Sequence, residues 1–431
     1  MSEVLIIGGG LAGCEAAWQA IRLGADVTLY EMKPKRYSAA HSSQGLCELV
    51  CSNSLKSESV ENGGGLLKEE MRLLSSLVME AADFSRVPAG KALAVDRVIF
   101  SSFVTERLVN SGVKIIREEV IDIPEARPLV IATGPLTSEG FSEKLALILG
   151  AENLWFYDAM APVVYKDSVD FSVAFMAARY NKGGADYINC PMNKVEYDSF
   201  VKELVSAEKS PFREFEKPRF FEGCMPVETM AERGPETLSF GPLRPVGIID
   251  PRTGKRPFAV VQLRRENKED TIYNIVGFQT RLLHKEQKRV FSGIPGLKDA
   301  RFARYGGIHR NSYINSPKLL SGTLQLRKDP MVLFAGQITG VEGYCESAAS
   351  GIIAGINAVR LSKGLEAVFP PPSTMTGALL DYVSAPSTND FQPMNANFGI
   401  LRSAGRDREA RAGAALSEMK AWINANAKSG A

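Results

Sequence analysis

Six cysteines and three histidines are the scarce reactive side chains of this 431-residue chain, and their spacing sets what chemistry they can share. Residues 45–55, GLCELVCSNSL, place Cys47 and Cys51 four apart, one helical turn if the segment is helical. A thiolate is a nucleophile and a proton acceptor, whereas a buried thiol is a small hydrophobe. The local spacing alone allows both readings of Cys51. Cys224 lies just after Gly223 and two residues before Pro226, so it is expected on a loop. Its neighbours Glu222 and Glu228 would raise a thiol pKa, and Arg219 would offset them. Packing under that loop is the alternative. Cys190 and Cys345 read as packing residues. No CxxC pair occurs, which argues against a disulfide framework and for a reduced, cytoplasmic chain. His41, His284 and His309 are far apart, so no metal site is expected.

A second chemistry is written in glycine. Gly8, Gly9, Gly10, Leu11, Ala12 and Gly13 spell GxGxxG, and Glu31 follows Gly13 by eighteen residues. Gly8 permits the tight turn, Gly10 lets a pyrophosphate approach the backbone, and Gly13 lets helix pack on strand. The acid is placed to bind ribose hydroxyls. A later Gly-rich turn holds Gly336, Gln337, Gly340 and Gly343. One such motif leaves FAD and NAD open; the second turn and IATGP (131–135) favour FAD.

These residues need elements to hold them. EVLIIGGG reads as a buried strand entering a turn, LAGCEAAWQAIRLG as a helix with a Gly stop, and ADVTLYE as a second strand. That is a βαβ unit, with the right-handed crossover expected of parallel strands. PMVLFAGQITGVEGYCESAASGIIAGINAV repeats strand, Gly-rich turn and small-residue helix roughly 300 residues later. The fold class expected is therefore α/β: a discontinuous Rossmann-like FAD-binding domain with an inserted α+β domain containing an antiparallel sheet. The boundaries are residues 1–159, the insertion at 160–320, and 321–431 for the second nucleotide segment and a C-terminal helix near 406–427. Within the insertion FAVVQL and TIYNIVGFQT read as strands, and RPVGIIDPRTGKRPFAVVQL as a hairpin with an exposed basic tip.

Composition bounds the function. Net charge is +2, so the whole molecule is no polyanion trap. Residues 281–310 nevertheless carry eight Lys and Arg against two acids. Lys285, Lys288 and Arg289 fall on one helical face that could follow a phosphate backbone or simply be solvated. No basic leader opens the chain, and no apolar run is long enough to span a bilayer, so no membrane association is expected.

Several long stretches carry a family resemblance: EMKP with AAHSSQGLCELVCSNSL, GFQTRLLHKEQKRVF, YGGIHRNSYINSP, FAGQITGVEGYCESAASG and FQPMNANFGIL. From about residue 3 to 400 the chain resembles the folate- and FAD-dependent tRNA (uracil-5-)-methyltransferases. Cys14, Cys47 and the LRSAG after NFGI depart from the family's pattern.

The resemblance implies methylation at C5 of a T-loop uracil. The one-carbon donor would be 5,10-methylenetetrahydrofolate, released as tetrahydrofolate, and FADH₂ recharged by NAD(P)H would be the reductant. It implies a catalytic pair, Cys51 and Cys224, with Cys224 adding to uracil C6 and Cys51 beside the flavin as base or methylene acceptor. Arg281 and Tyr344, in matching motifs, are the folate candidates, with phosphate contact the alternative for Arg281. Lys285, Lys288 and Arg289 are the RNA candidates. Rival readings are a uracil of 23S rRNA as target, an FAD oxidoreductase on a small substrate, and a non-enzymatic RNA-binding flavoprotein.

Overall fold

The computed structural model describes residues 3–150, 154–181, 184–211, 220, 225–386, 391–403 and 405–427. The first strand, β1 (Glu3–Ile7), buries Val4 and Ile6 on one face and Leu5 and Ile7 on the other. A strand apolar on both faces belongs inside a covered sheet. It pairs in parallel with β2 (Asp26–Glu31) and β4 (Leu129–Ile131). The sheet is completed by β3 (Lys114–Arg117) beyond β2, by β7 (Asp329–Phe334) beyond β4, and by an antiparallel edge, Gln325–Leu326. The late strand β7 therefore enters the same sheet as the first βαβ unit, as the repeated strand–turn–helix pattern predicts.

Helices α1 (Leu11–Arg22) and α4 (Tyr344–Ser362) pack on this sheet through small residues. A Cβ added at Gly351 would stand 2.2 Å from the Ala12 carbonyl oxygen, and one at Gly355 2.5 Å from that of Ala16. The two helices therefore touch backbone to backbone, a contact only glycine allows. This brings the two Gly-rich turns together. The C-terminal helix α5 (Arg408–Ala427) buries Ala412, Ala415 and Met419 and packs on α2 (Gly63–Leu73).

A second sheet is antiparallel and lies within residues 163–304. Its strands run in the order Phe175–Ala177, Tyr187–Met192, Ala259–Arg265, Ile272–Ile275, Val163–Tyr165, Phe302–Arg304. The FAVVQL and TIYNIVGFQT strands are both in it. The hairpin expected around residue 253 is a correction. Its tip is exposed, but only Asp250 and Lys255 bridge, and Ala259–Arg265 pairs instead with Tyr187–Met192 and Ile272–Ile275. The proline- and glycine-rich arm before the tip offers few ladder donors.

A separate two-stranded antiparallel ribbon pairs β5 (Leu154–Met160) with β6 (Gly307–Tyr313). Its register sets Asp158 directly opposite His309.

Candidate functional site

An open cleft runs from the Gly-rich turn after β1 to the β5–β6 ribbon. Gly8, Gly9, Gly10, Leu11, Ala12 and Glu31 line one end, and Cys51, Asp158, His309, Asn311 and Tyr344 the other, with Gly336 and Gln337 also on its wall.

At the first end each glycine has a separate reason. Gly8 has φ +105°, and a Cβ there would meet the Ala132 carbonyl at 2.4 Å. Gly13 lies under the Gly8 carbonyl, 1.8 Å from where its Cβ would be, which is the helix–strand packing expected of it. A Cβ on Gly10 would meet nothing within 4 Å. Gly10 is the N-cap of α1 and no side chain caps it, so the helix start is left open to an anion. Glu31 accepts hydrogen bonds from the Gly9 N–H (3.0 Å) and the Lys33 N–H (2.9 Å) and also lines the cleft. A dinucleotide fits these residues. At the late turn Gly336 (φ +84°) backs onto Ala12 and Gly340 (φ +88°) onto the Phe391 ring, while Gly343 (φ +128°) starts α4 against Glu346. Gly13, Gly340 and Gly343 thus shape the cleft without lining it.

At the far end the segment around Cys51 is tied down on several sides. The Tyr344 hydroxyl oxygen accepts from the N–H of Cys51 (2.8 Å) and of Ser52 (3.1 Å). Arg264 donates to Ser52 Oγ and Asn53 Oδ1, and Arg304 donates to the Val50 carbonyl. Cys51 is not helical with Cys47: Cys47 is fully buried at φ +56°, its N–H bonded to the Gly9 carbonyl, and is structural. Cys51 Sγ lies 3.4 Å from Asp158 Oδ2. Burial, then the negative charges of Asp158 and Glu342, push the Cys51 thiol well above its ordinary range, so it rests as a thiol. Burial and Asp158 push Glu342 up to about 8, and it accepts from Gln337 Nε2 at 2.5 Å. Burial lowers the pKa of His309, which stays neutral at pH 7.

Asp158, His309, Asn311 and Glu342 were not found by spacing. His309 was visible only as one of three histidines, inside a motif carrying the family resemblance. Its approach to Asp158 depends on the register of two strands roughly 150 residues apart. Cys51, Asp158 and His309 donor atoms all lie within 4.8 Å of one another, a juxtaposition the histidine spacing did not foretell.

The other candidates are placed differently. Cys224 falls outside the described residues. The described residues around it are anchored nearby: Val227 N–H donates to the Gln279 carbonyl, Ser210 N–H to the Arg281 carbonyl, and Phe220 bridges Tyr157, the neighbour of Asp158. Arg281 does not line the cleft. Its guanidinium donates to the Ser210 carbonyl and its N–H to Glu228, which ties residues 210 and 228 to its own segment. Tyr344 lines the cleft, but its hydroxyl serves the Cys51 segment. On α3 (His284–Phe291) Lys285 pairs with Glu208 at 2.5 Å, and Arg289 with Glu286 and Glu203. Two of the three cations on that face are therefore paired, with Glu203 and Glu208 distant in sequence and with Glu286 on α3 itself; Lys288 is exposed, with no ion pair among the described residues.

The chain matches, over residues 3–366, the family model described as Glucose inhibited division protein A. It is 59% identical over 399 residues to the methylenetetrahydrofolate–tRNA-(uracil-5-)-methyltransferase TrmFO of Heliobacterium modesticaldum, covering 92% of this chain and 91% of that one. It is 56% identical over 428 residues to the enzyme of the same name from Geobacter sulfurreducens, covering 97% and 98%. The chain belongs to this methyltransferase family. The resemblance carried by its motifs is borne out. Among solved structures, the form II crystal of Aquifex aeolicus GidA superposes with a TM-score of 0.73 at 18% identity, over 97% of this chain and 73% of that one. That likeness shows the fold. Among the described residues no helix is long and apolar enough to cross a membrane.

Proposed function

We propose that this chain methylates C5 of a uracil in tRNA, taking the one-carbon unit from methylenetetrahydrofolate. The observation that carries the reading is a single cleft joining a dinucleotide-type glycine turn to the Cys51 thiol, in a chain 59% identical to an enzyme of that name. Residues 1–159 and 321–431 would form the cofactor unit and 160–320 the insertion that meets RNA. Gly8–Ala12, Glu31, Gly336 and Gln337 would hold FAD, with Gly13, Gly340 and Gly343 shaping the turns behind them; FAD when bound supplies the two reducing electrons, NAD(P)H restoring them.

Cys224 is the proposed nucleophile. Its thiolate would add to uracil C6, C5 would take the methylene still bonded to the folate nitrogen, loss of the C5 proton would expel tetrahydrofolate, a hydride equivalent would reduce the exocyclic methylene to methyl, and elimination from C6 would return the thiolate. The base must leave its stack to reach such a site. The bridge of Phe220 to Tyr157, next to Asp158 on the ribbon, supports the reading. Cys51 then serves as the partner thiol, taking either the C5 proton or the methylene, and both roles require it to lose its own proton.

Methyl mapping on tRNA and on rRNA incubated with protein, FAD, NADPH and methylenetetrahydrofolate tests the function. Methyl is expected at a tRNA uracil, and modification confined to rRNA would reject the tRNA assignment. A covalent adduct with 5-fluorouracil RNA is expected to persist in Cys51→Ala and vanish in Cys224→Ala; the opposite pattern exchanges the roles.

A further inference from the structure

We propose that Asp158, paired with His309, is the proton acceptor that releases the Cys51 sulfur for reaction. The proposal rests on the reading of Cys51 as a reacting thiol. Its basis is the ribbon: antiparallel register sets Asp158 opposite His309, and Asn311, two residues further along β6, shares the His309 face. One oxygen of Asp158, Oδ1, is fixed by its own neighbour, the Ala159 N–H, at 2.8 Å. The other, Oδ2, meets three groups: Cys51 Sγ at 3.4 Å, Asn311 Nδ2 at 3.5 Å and His309 Nε2 at 3.8 Å.

Asp158, His309 and Asn311 are all buried, and the aspartate has no Lys or Arg ion pair among the described residues. A buried carboxylate without a cationic partner is costly. This one is aimed at the cleft thiol and backed by an imidazole whose Nδ1 has no hydrogen-bond partner among the described residues. Only the Nδ1–H tautomer can then take a proton at Nε2, the nitrogen that faces Asp158.

The transfer balances. The Cys51 S–H bond breaks and sulfur keeps the pair. The proton passes to Asp158 Oδ2, or through it to His309, giving thiolate with carboxylic acid, or thiolate with carboxylate and imidazolium. Total charge of the trio stays at one negative in either case. Because burial holds the thiol pKa high and that of the imidazole low, the resting proton stays on sulfur. It leaves as the sulfur meets its electrophile, which is general-base catalysis. The other titratable groups facing the trio are Glu342 and Tyr344 from the late turn and α4, Arg97 and Arg304 on the Cys51–Tyr344 side, and His41 near His309.

The test uses the full-length holoenzyme in three variants, Asp158→Asn, His309→Gln and Cys51→Ala, with FAD content measured for each. The expected result is FAD retained, tRNA KM unchanged and methylation kcat lowered about 100-fold in Asp158→Asn and about tenfold in His309→Gln. The pH profile of mass-mapped Cys51 alkylation should lie above that of a free thiol in wild type and move to lower pH in Asp158→Asn, which loses a charge that raises the thiol, while the methylation rate still falls. Asp158→Glu should recover part of the rate. If Cys51→Ala is inactive but Asp158→Asn and His309→Gln keep kcat and Cys51 alkylation within twofold of wild type, the proposal fails and the role of Cys51 stands. If Cys51→Ala keeps full activity, the reading beneath it fails instead. Should Asp158→Asn lose FAD, His309→Gln decides by the same readouts. A chelator that abolished activity, with zinc restoring it, would make the trio a metal centre and overturn the proposal.

Discussion

Tyr344 shows how one hydroxyl can set the geometry of a thiol in the cleft. It accepts two backbone N–H bonds at residues 51 and 52, so it fixes where the Cys51 sulfur starts. In Tyr344→Phe both donors lose their acceptor, at about 1–3 kcal/mol for a buried unsatisfied group. Single-turnover methylation is expected to fall about tenfold while FAD stays bound; an unchanged rate would remove Tyr344 from this role. Sequence reasoning found Tyr344 through its motif but assigned its ring to folate, because a phenol's partner 293 residues away cannot be read from spacing. The glycines were legible for the opposite reason. Their demands are local: a positive φ, or a missing Cβ beneath a neighbouring carbonyl.

At the scale of elements, two buried carboxylates fasten helix starts. Glu15 accepts from Ser76 Oγ and the N–H groups of Leu77 and Val78, and Glu70 from the N–H groups of Met375 and Thr376 and from Thr376 Oγ1. Burial outweighs these bonds and raises each from 4.5 to about 7. The folded state therefore binds protons more tightly than the unfolded chain, and these groups lose stability as pH rises from about 4.5 through 7. The difference in urea unfolding free energy between wild type and Glu70→Gln should shift against wild type across that window. A difference that is flat or moves the other way contradicts the assignment. Glu70→Ala strands three donors and is expected to cost about 2–4 kcal/mol, read by denaturant unfolding. The α1–α4 contact makes a sharper demand: Gly355→Val would drive a side chain into the Ala16 carbonyl. It should lower the melting temperature and the FAD content together, whereas full FAD occupancy would show that the helices can separate without cost.

Across the whole molecule, charge is arranged differently from its order along the chain. Part of the excess at 281–310 is paired in space, Lys285 with Glu208, Arg289 with Glu203 and with Glu286 of the same segment, and Arg301 with Asp167. Exposed pairs of this kind contribute little to stability, but they leave less net charge to attract phosphate. Lys288→Glu is therefore expected to weaken tRNA binding and reduce its salt slope by about one, while Lys285→Glu and Arg289→Glu have the smaller effects. Binding assays over a salt series decide it, and equal losses at all three positions would restore the continuous cationic face. The parallel sheet was legible because its pattern repeats at both ends of the chain. The ribbon that carries Asp158 and His309 was not, because nothing in either strand announces its partner.

The backbone contact of α1 with α4 also orders events during synthesis. Residues 8–13 leave the ribosome early, yet the wall that completes their cleft includes Gly336 and Gln337, held in place by Gly351 and Gly355. A nascent chain shorter than about 360 residues has one half of a dinucleotide site and an exposed stripe of alanines on α1. A cofactor held there would draw on both turns at once, so its capture would report that two segments roughly 300 residues apart have come together.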